Sequence, residues 1–457
     1  IIKNKVKFSY VVLSAGGIMR FTIEELIEAT GANIIVASDG EDDFEISTDT
    51  RTIGSGMLYL PLKGENFNGF DFIQNALDAG ASGCFIEDLK DVNPDADFIL
   101  QVEDTKAAYL KIAEFYRDKV NPKVIMITGS SGKTTVKEMM SSVMSVKFKT
   151  HKTKLNHNNE IGLCQTFLSM PDDTEVLIAE GGMRGLGEIE LLSKHTKPDR
   201  AVITNVGTAH IGRLGSVENI AKAKCEIVKY LKKDGLFVAP ENPLIRQFNT
   251  FAGKSCYVDF STIEIKKADT TGSEFVYGGN EYFLPQEGEH NVQNACLVIE
   301  TALSLGMTPE EIAKGLKNFK SIDKRWELQK IGNINIINDC YNANPDSVKA
   351  AIKTFLGLYE GKKILVLGDM GELGEDEVKY HVEIGEFLNN FDFDGLLTCG
   401  ELAKNINPNK SGCVHFQDKK SIAQYIYRKF KDGAYVLLKA SRSMKFEEII
   451  EEIKKCR

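Results

Sequence analysis

Within Gly129-Ser130-Ser131-Gly132-Lys133-Thr134-Thr135, two glycines, a lysine and a run of hydroxyls stand in the order that phosphate chemistry asks for. Gly129 and Gly132 let the backbone turn tightly and aim its N–H groups at an anion, and a following helix N-terminus adds a favourable dipole. Lys133 can reach terminal phosphate oxygens, and the Thr134 hydroxyl can ligate Mg²⁺. The apolar run Val124–Ile127 precedes the stretch, Thr128 leads into it, and Val136, Met139, Met140 and Val143 follow on helical spacing. The spacing is the shorter T-G-x-x-G-K-T, with Ile127 where the longer G-x-x-x-x-G-K-[ST] form carries its first glycine. An ordinary strand–turn–helix with a surface lysine would not need the glycines and Lys-Thr-Thr together. The stretch reads as a nucleotide phosphate site.

Three further residues are placed to join it. Val176–Glu180 reads as a strand ending in a carboxylate, and Ala201–Ala209 as a strand running out through a turn to His210. Ligands gather at the carboxyl ends of strands in open α/β sheets, so Glu180 and His210 are expected to face the crevice of Lys133 and Thr134. A structural role suits either residue taken alone. Lys224 lies four after Ile220 and three before Ile227 on a helix that Ser216 caps, so it points along a buried stripe. It must snorkel to solvent, find a partner, or be chemically altered, for instance to a carbamate that ligates Mg²⁺ through oxygen. Periodicity does not choose among these.

Weaker signals lie on either side. Ser47, Thr48 and Arg51 end a strand near the N-terminus, and Lys63 to Gly69, including Asn66, form a polar loop after another. Hydroxyls, an arginine and exposed amides suit a pyrophosphate or a uracil edge, as they suit a solvated loop. Asn291 and Asn294 open a helix and could read an adenine edge or serve as caps. Gly368-Asp369-Met370-Gly371-Glu372-Leu373-Gly374 has the spacing G-x-x-G-x-x-G, which is not that of a dinucleotide-binding loop.

These stretches need a scaffold of several domains. The 457 residues suffice for about three, and 42% hydrophobic with 26% charged residues is ordinary for a globular protein. A net charge of −9 argues against a nucleic-acid partner, and no run approaches the ~20 apolar residues of a membrane span. Nine cysteines without a C-x-x-C pair read as reduced cytoplasmic thiols. Thr22 with Glu25 opens a capped helix ending near Gly31, within a small α/β region assigned to residues 19–103. Strand–helix alternation over 104–320 predicts a mostly parallel sheet, and 321–457 reads as a third α/β unit with strands near Ile334–Asn338, Lys363–Leu367, Gly395–Cys399 and Ala434–Lys439. Residues 1–18 read as an extension upstream of a natural start at Met19.

T-G-S-S-G-K-T-T, the Glu180 strand, N-V-G-T-A-H, A-K-C-E-I, H-N-V-Q-N-A and D-C-Y-N-A-N-P-D-S occur here in the order in which they occur in the Mur ligases, and from Met19 onward the chain resembles that family. The resemblance implies an N-terminal domain binding the UDP end of a substrate, a central P-loop ATPase domain, and a C-terminal Rossmann-like domain. It implies ATP-dependent joining of D-alanyl-D-alanine to UDP-MurNAc-tripeptide through an acyl phosphate; a cytoplasmic location is expected from the cysteines, and a monomer is expected without a sequence signal of its own. Thr128 to Thr135 would hold the ATP phosphates, with Lys133, Lys224, His210 and Glu180 as catalytic residues. Thr134 and Glu180 would hold one Mg²⁺; His210 and a carbamylated Lys224 would hold a second. Asn291, Asn294, Arg325 and Asp339 would contact the nucleotide. Ser47, Thr48, Arg51, Lys63, Asn66, Asn156, Asn158, Asn159, Tyr341, Asn344, Ser441 and Arg442 would contact the other substrates. Phe70 stands where the family commonly has histidine, and Ala440 where it commonly has glycine. A folylpolyglutamate synthetase would share the P-loop and lysine without needing Ser47–Gly69. An ATP-binding switch would have no use for His210 and Lys224 together.

Overall fold

The structure, a computed structural model, describes residues 19–38, 43–64, 67–154, 157–320 and 325–456. Asn66, Asn156 and the expected extension 1–18 lie outside the described residues. The chain forms two compact units: residues up to Pro122 with Lys154–Thr174, and Lys123–Thr153 with Glu175 onward.

The first unit is built on a six-stranded sheet in the order Phe21–Thr22, Asp43–Ser47, Met57–Tyr59, Gly83–Ile86, Phe98–Gln101, Asn33–Ala37, parallel at its centre and antiparallel at both edges. The capping box of Thr22 and Glu25 starts the helix Ile23–Thr30, and Gly31 ends it in the left-handed conformation. Thr105–Val120, assigned by alternation to the middle region, belongs to this unit. Its buried face (Ala108, Ile112, Tyr116) packs on Ile23–Thr30 and on Glu160–Leu168, a helix the chain returns to supply after leaving the unit. Tyr116 Oη donates to the Met170 carbonyl at 2.6 Å, and Lys106 pairs with Glu160 at 2.6 Å.

The second unit carries two large sheets. One is fully parallel, in the order Lys254–Val258, Leu236–Pro240, Arg200–Ile203, Lys123–Thr128, Val176–Glu180, Thr150–Lys152. The phosphate-loop strand Lys123–Thr128 therefore lies between the strand that ends at Glu180 and the one that leads to Asn205 and His210. The helices Lys133–Met144 and Glu289–Leu303 contribute Val136, Met140, Val143, Val292 and Ile299 to one core with this sheet. The alternation did not anticipate the antiparallel meander Glu264–Asp269, Gly272–Tyr277, Asn280–Leu284. The other large sheet runs Glu327–Ile331, Ile334–Asn338, Ala434–Lys439, Lys363–Gly368, Gly395–Cys399, Cys413–Phe416, parallel except for its first strand. Among the described residues, no helix is long and apolar enough to cross a membrane.

Candidate active site

The strand Lys123–Thr128 delivers the loop, and the helix Lys133–Met144 leaves it from Gly132 at φ 76°, a conformation that favours glycine. The first N–H groups of that helix have no intrahelical acceptor and are available to an anion. Lys133 Nζ donates to the Gly129 carbonyl at 2.7 Å, folded back over its own loop. Burial pushes its ammonium below the usual lysine range, and the Glu180 carboxylate opposes that shift. A Cβ on Gly129 would stand 1.8 Å from Thr204 Oγ1, so no side chain fits there.

Asn205, which sequence reasoning passed over inside N-V-G-T-A-H, braces the loop. Its Oδ1 accepts from the amides of Ser130 and Ser131 at 3.1 and 2.9 Å, and its Nδ2 donates to Ser131 Oγ at 2.6 Å. Thr204 Oγ1 donates to the Ser131 carbonyl at 2.5 Å. On the other side, Thr134 Oγ1 donates to Glu180 Oε1 at 3.3 Å, and Arg325 Nη2 donates to Thr134 Oγ1 at 3.0 Å. The Arg325 guanidinium also lies 4.1 Å from the centre of the Tyr341 ring.

Lys137 is a second residue that sequence reasoning missed. It is 1% exposed and sits 3.5 Å from Glu180 Oε2 and 3.4 Å from Glu138 Oε1, while Lys152 pairs with Glu138. Glu180 itself is 4% exposed, and a carboxylate so buried needs such a counter-charge. The signal was weak: Lys137 is three before Met140, but four before it stands Lys133 instead of an apolar residue, so it lacks the stripe placement that singled out Lys224.

Lys224 lies on the helix Val217–Cys225, and the Ser216 side chain accepts from the Asn219 amide as expected. The α-helix stops at Cys225 and gives way to a 3₁₀ turn, Glu226–Val228, so Ile227 and Leu231 are not on its last turns. Lys224 does not snorkel: it is 1% exposed. Burial and then the nearby Lys133 charge push its ammonium well below the ordinary value of 10.5. His210 follows the strand Arg200–Ile203 and takes φ 65°. Its Nδ1 stands 2.6 Å from Glu372 Oε2. At the opening of Glu289–Leu303, Asn291 Nδ2 donates to the Glu287 carbonyl at 2.7 Å, and the Asn294 amide borders Gly132. Neither caps the helix, whose N-cap is Gly288.

A glycine-bearing turn, a lysine over it and a hydroxyl–carboxylate pair beside it are the arrangement that a nucleotide phosphate would need. Comparison with known proteins gives the family. Residues 45–122 match the "Mur ligase family, catalytic domain", 127–302 the "Mur ligase middle domain" and 324–442 the "Mur ligase, glutamate ligase domain". The chain is 39% identical over 424 residues to the UDP-N-acetylmuramoyl-tripeptide–D-alanyl-D-alanine ligase of Bacillus subtilis, covering 89% of this chain and 92% of that protein. The chain belongs to the Mur ligase family. Among solved Mur ligase structures, MurF from Acinetobacter baumannii superposes with a TM-score of 0.90 at 28% identity, covering 96% of this chain and 99% of that one. MurF ligase from Thermotoga maritima in complex with ADP gives 0.82 at 28% identity, covering 90% and 97%.

The remaining residues that the Mur ligase resemblance pointed to are dispersed and mostly engaged locally. Arg51 is exposed and bound in bidentate fashion to Asp49, at 2.9 and 2.6 Å. Ser47 Oγ accepts from the Asp49 amide at 3.2 Å, Thr48 is half-buried, and Lys63 pairs with Glu87. Asn159 caps Glu160–Leu168 and Asn344 caps Pro345–Leu358, so each has a structural task; Asn158 is half-buried. Asp339 pairs with Lys439 at 2.6 Å, Arg442 with Glu447 at 2.6 Å, and Ser441 Oγ lies 3.2 Å from Ser443 Oγ. Among the described residues, no group of three or more His, Cys, Asp or Glu side chains could hold a metal by itself. The pair Thr134–Glu180 supplies hard oxygens that fit Mg²⁺ when substrate phosphates and water complete the shell. His210 and an unmodified Lys224 offer only nitrogen, so that second pair fits Mg²⁺ only if Lys224 carries a carboxylate.

Proposed function

We infer that this chain is the ATP-dependent ligase that joins D-alanyl-D-alanine to UDP-N-acetylmuramoyl-tripeptide, giving the UDP-MurNAc-pentapeptide precursor of peptidoglycan. What carries the reading is the match along 89% of this chain and 92% of a relative with that activity. The phosphate-loop geometry supports ATP as the energy source. A carboxylate is a poor electrophile at neutral pH. The terminal carboxylate of the tripeptide attacks the γ-phosphorus of ATP, the bond to the bridging oxygen breaks, and ADP leaves. The amine of D-alanyl-D-alanine then attacks the acyl carbon, loses a proton, and expels inorganic phosphate.

In this reading Lys133 moves off the Gly129 carbonyl to the γ-phosphate and offsets the charge that two approaching anions bring together. Asn205 holds the loop in its turned form before ATP arrives, so little reorganisation remains. Asn291, Asn294, Arg325 and Asp339 contact the nucleotide. Thr134 and Glu180 would hold Mg²⁺, which supplies positive charge to the phosphates when bound. Lys224, buried and driven toward its neutral amine, is suited to react with carbon dioxide, losing a proton to give a carbamate. That carbamate and His210 would hold a second ion. Ser47, Thr48, Arg51 and Lys63 bind the UDP end; Asn158, Asn159, Tyr341, Asn344, Ser441 and Arg442 contact the muramoyl peptide or the dipeptide. The free cysteines and the net charge of −9 support a cytoplasmic enzyme without nucleic-acid partners, and we take it to act as a monomer.

The test is phosphate release from ATP with UDP-MurNAc-tripeptide, with and without D-alanyl-D-alanine, in wild type and Lys224→Ala. Release that needs both substrates, yields the pentapeptide and collapses in the variant, with partial recovery on adding short-chain carboxylic acids, is expected. Turnover with a folate and glutamate instead would overturn the substrate assignment.

A further inference from the structure

Glu372 lies in the loop after the strand Lys363–Gly368, far in sequence from the ATP site, yet its carboxylate Oε2 is 2.6 Å from His210 Nδ1. The two backbones are built to meet. The Gly212 amide donates to the Glu372 carbonyl at 3.1 Å. A Cβ on Gly212 would stand 2.3 Å from the Gly374 amide nitrogen, so only glycine permits the approach. His210 and Glu372 both hold left-handed conformations, φ 65° and 62°, rare for residues with side chains. Such strain persists only where the surroundings over-determine it, and it concentrates at functional positions. A second tie lies close by: Asp346 Oδ2 accepts from the Thr208 amide and hydroxyl at 2.7 and 2.8 Å.

We propose that Glu372 is a positioning residue for His210, holding the ring proton on Nδ1 so that Nε2 carries the ring's only lone pair. Nδ1 is buried and forms no hydrogen bond of regular geometry. Even so, a nitrogen and a carboxylate oxygen 2.6 Å apart repel unless a proton lies between them, and a carboxylate can only accept. A carboxylate on one imidazole nitrogen, with the other left for a ligand, fixes both tautomer and ring orientation. Because Glu372 arrives on the C-terminal sheet, His210 is oriented only when that sheet is docked on the segment 207–212. The tautomer does not depend on the ligase reading; the consequence for turnover rests on it.

The experiment is long-range ¹H–¹⁵N correlation on protein labelled in its seven histidines, without ligands, with His210 assigned by its loss in His210→Gln. The expected pattern is protonated Nδ1 in wild type and a shift toward protonated Nε2, or an averaged pattern, in Glu372→Ala. The wild-type spectrum alone decides the tautomer, so the test survives a variant that fails to fold. A wild-type ring protonated at Nε2 only, or an unchanged ring in Glu372→Ala, overturns the proposal. In turnover, Glu372→Ala is expected to lower kcat by about 10–100-fold and raise the Mg²⁺ requirement, leaving the KM for the UDP substrate alone.

Discussion

Replacing Lys137 with methionine removes a buried positive charge while keeping most of the side-chain volume. Nζ sits 3.5 Å from Glu180 Oε2, and the two side chains are 1% and 3% exposed. At that separation and an effective dielectric of about 20, Coulomb's law gives roughly 5 kcal/mol of attraction. Removing one partner of a buried pair costs about 3–5 kcal/mol, because the other charge stays desolvated. In a unit of this size that corresponds to a Tm lower by roughly 5–8 °C. The assay is thermal unfolding of wild type, Lys137→Met, Glu180→Gln and the double variant, without metal or nucleotide. The double variant should recover most of the loss, since it leaves no unmatched charge. Mg²⁺ with ADP should raise the Tm of Lys137→Met by more than that of wild type. A single variant within about 2 °C of wild type, or a double variant no more stable than Lys137→Met, would show that charge pairing is not what holds Glu180.

Three further outcomes are expected. Asn205→Ala deprives the Ser131 amide of its acceptor and Ser131 Oγ of its donor, while the Ser130 amide keeps the backbone carbonyl of residue 205; at about 1 kcal/mol for each of the bonds lost at Ser131, ADP should bind roughly 30-fold more weakly by calorimetry. Gly129→Ala drives a methyl into Thr204 Oγ1 and should weaken ADP binding by at least about 100-fold, with partial recovery in Gly129→Ala/Thr204→Ala. Burial would push the Asp199 carboxyl up, but the Val124 amide and the Lys232 and Lys123 ammoniums outweigh it and hold it below the ordinary 3.8. A depressed folded pKa means stability that is full above the unfolded value and drains as pH falls through the folded one. Tm measured downward from neutral pH should therefore drop below about pH 4, and Asp199→Asn should start lower and flatten that limb.

The parts of this molecule that could be read from sequence are those whose signal is local. Val176–Glu180 is an unbroken apolar run bounded by polar residues, and it forms the strand expected. Thr22 and Ser216 cap the helices they were expected to cap, because capping needs only three neighbouring residues. Lys224 was found by periodicity and is buried, although that pattern could not say what the amine does there. The meander was missed because Glu264–Asp269 is charged and almost wholly exposed, which leaves no apolar alternation to detect. Glu327–Ile331 and Cys413–Phe416 are short edge strands with weak patterns. Asn205 and Glu372 were invisible for another reason. Each acts on residues 70 or more positions away, and only the folded chain brings the pairs together.

The return of Glu160–Leu168 to the first unit bears on how the protein is made. That unit is discontinuous, so a ribosome must release the phosphate-loop strand Lys123–Thr128 and its helix before the segment that finishes the earlier unit emerges. Until then the face of Thr105–Val120 that carries Tyr116 lacks its cover, and the Tyr116 hydroxyl lacks the Met170 carbonyl. The first unit cannot be completed before the second has begun to emerge: the strand Lys123–Thr128 and its helix leave the ribosome while their predecessor is still open.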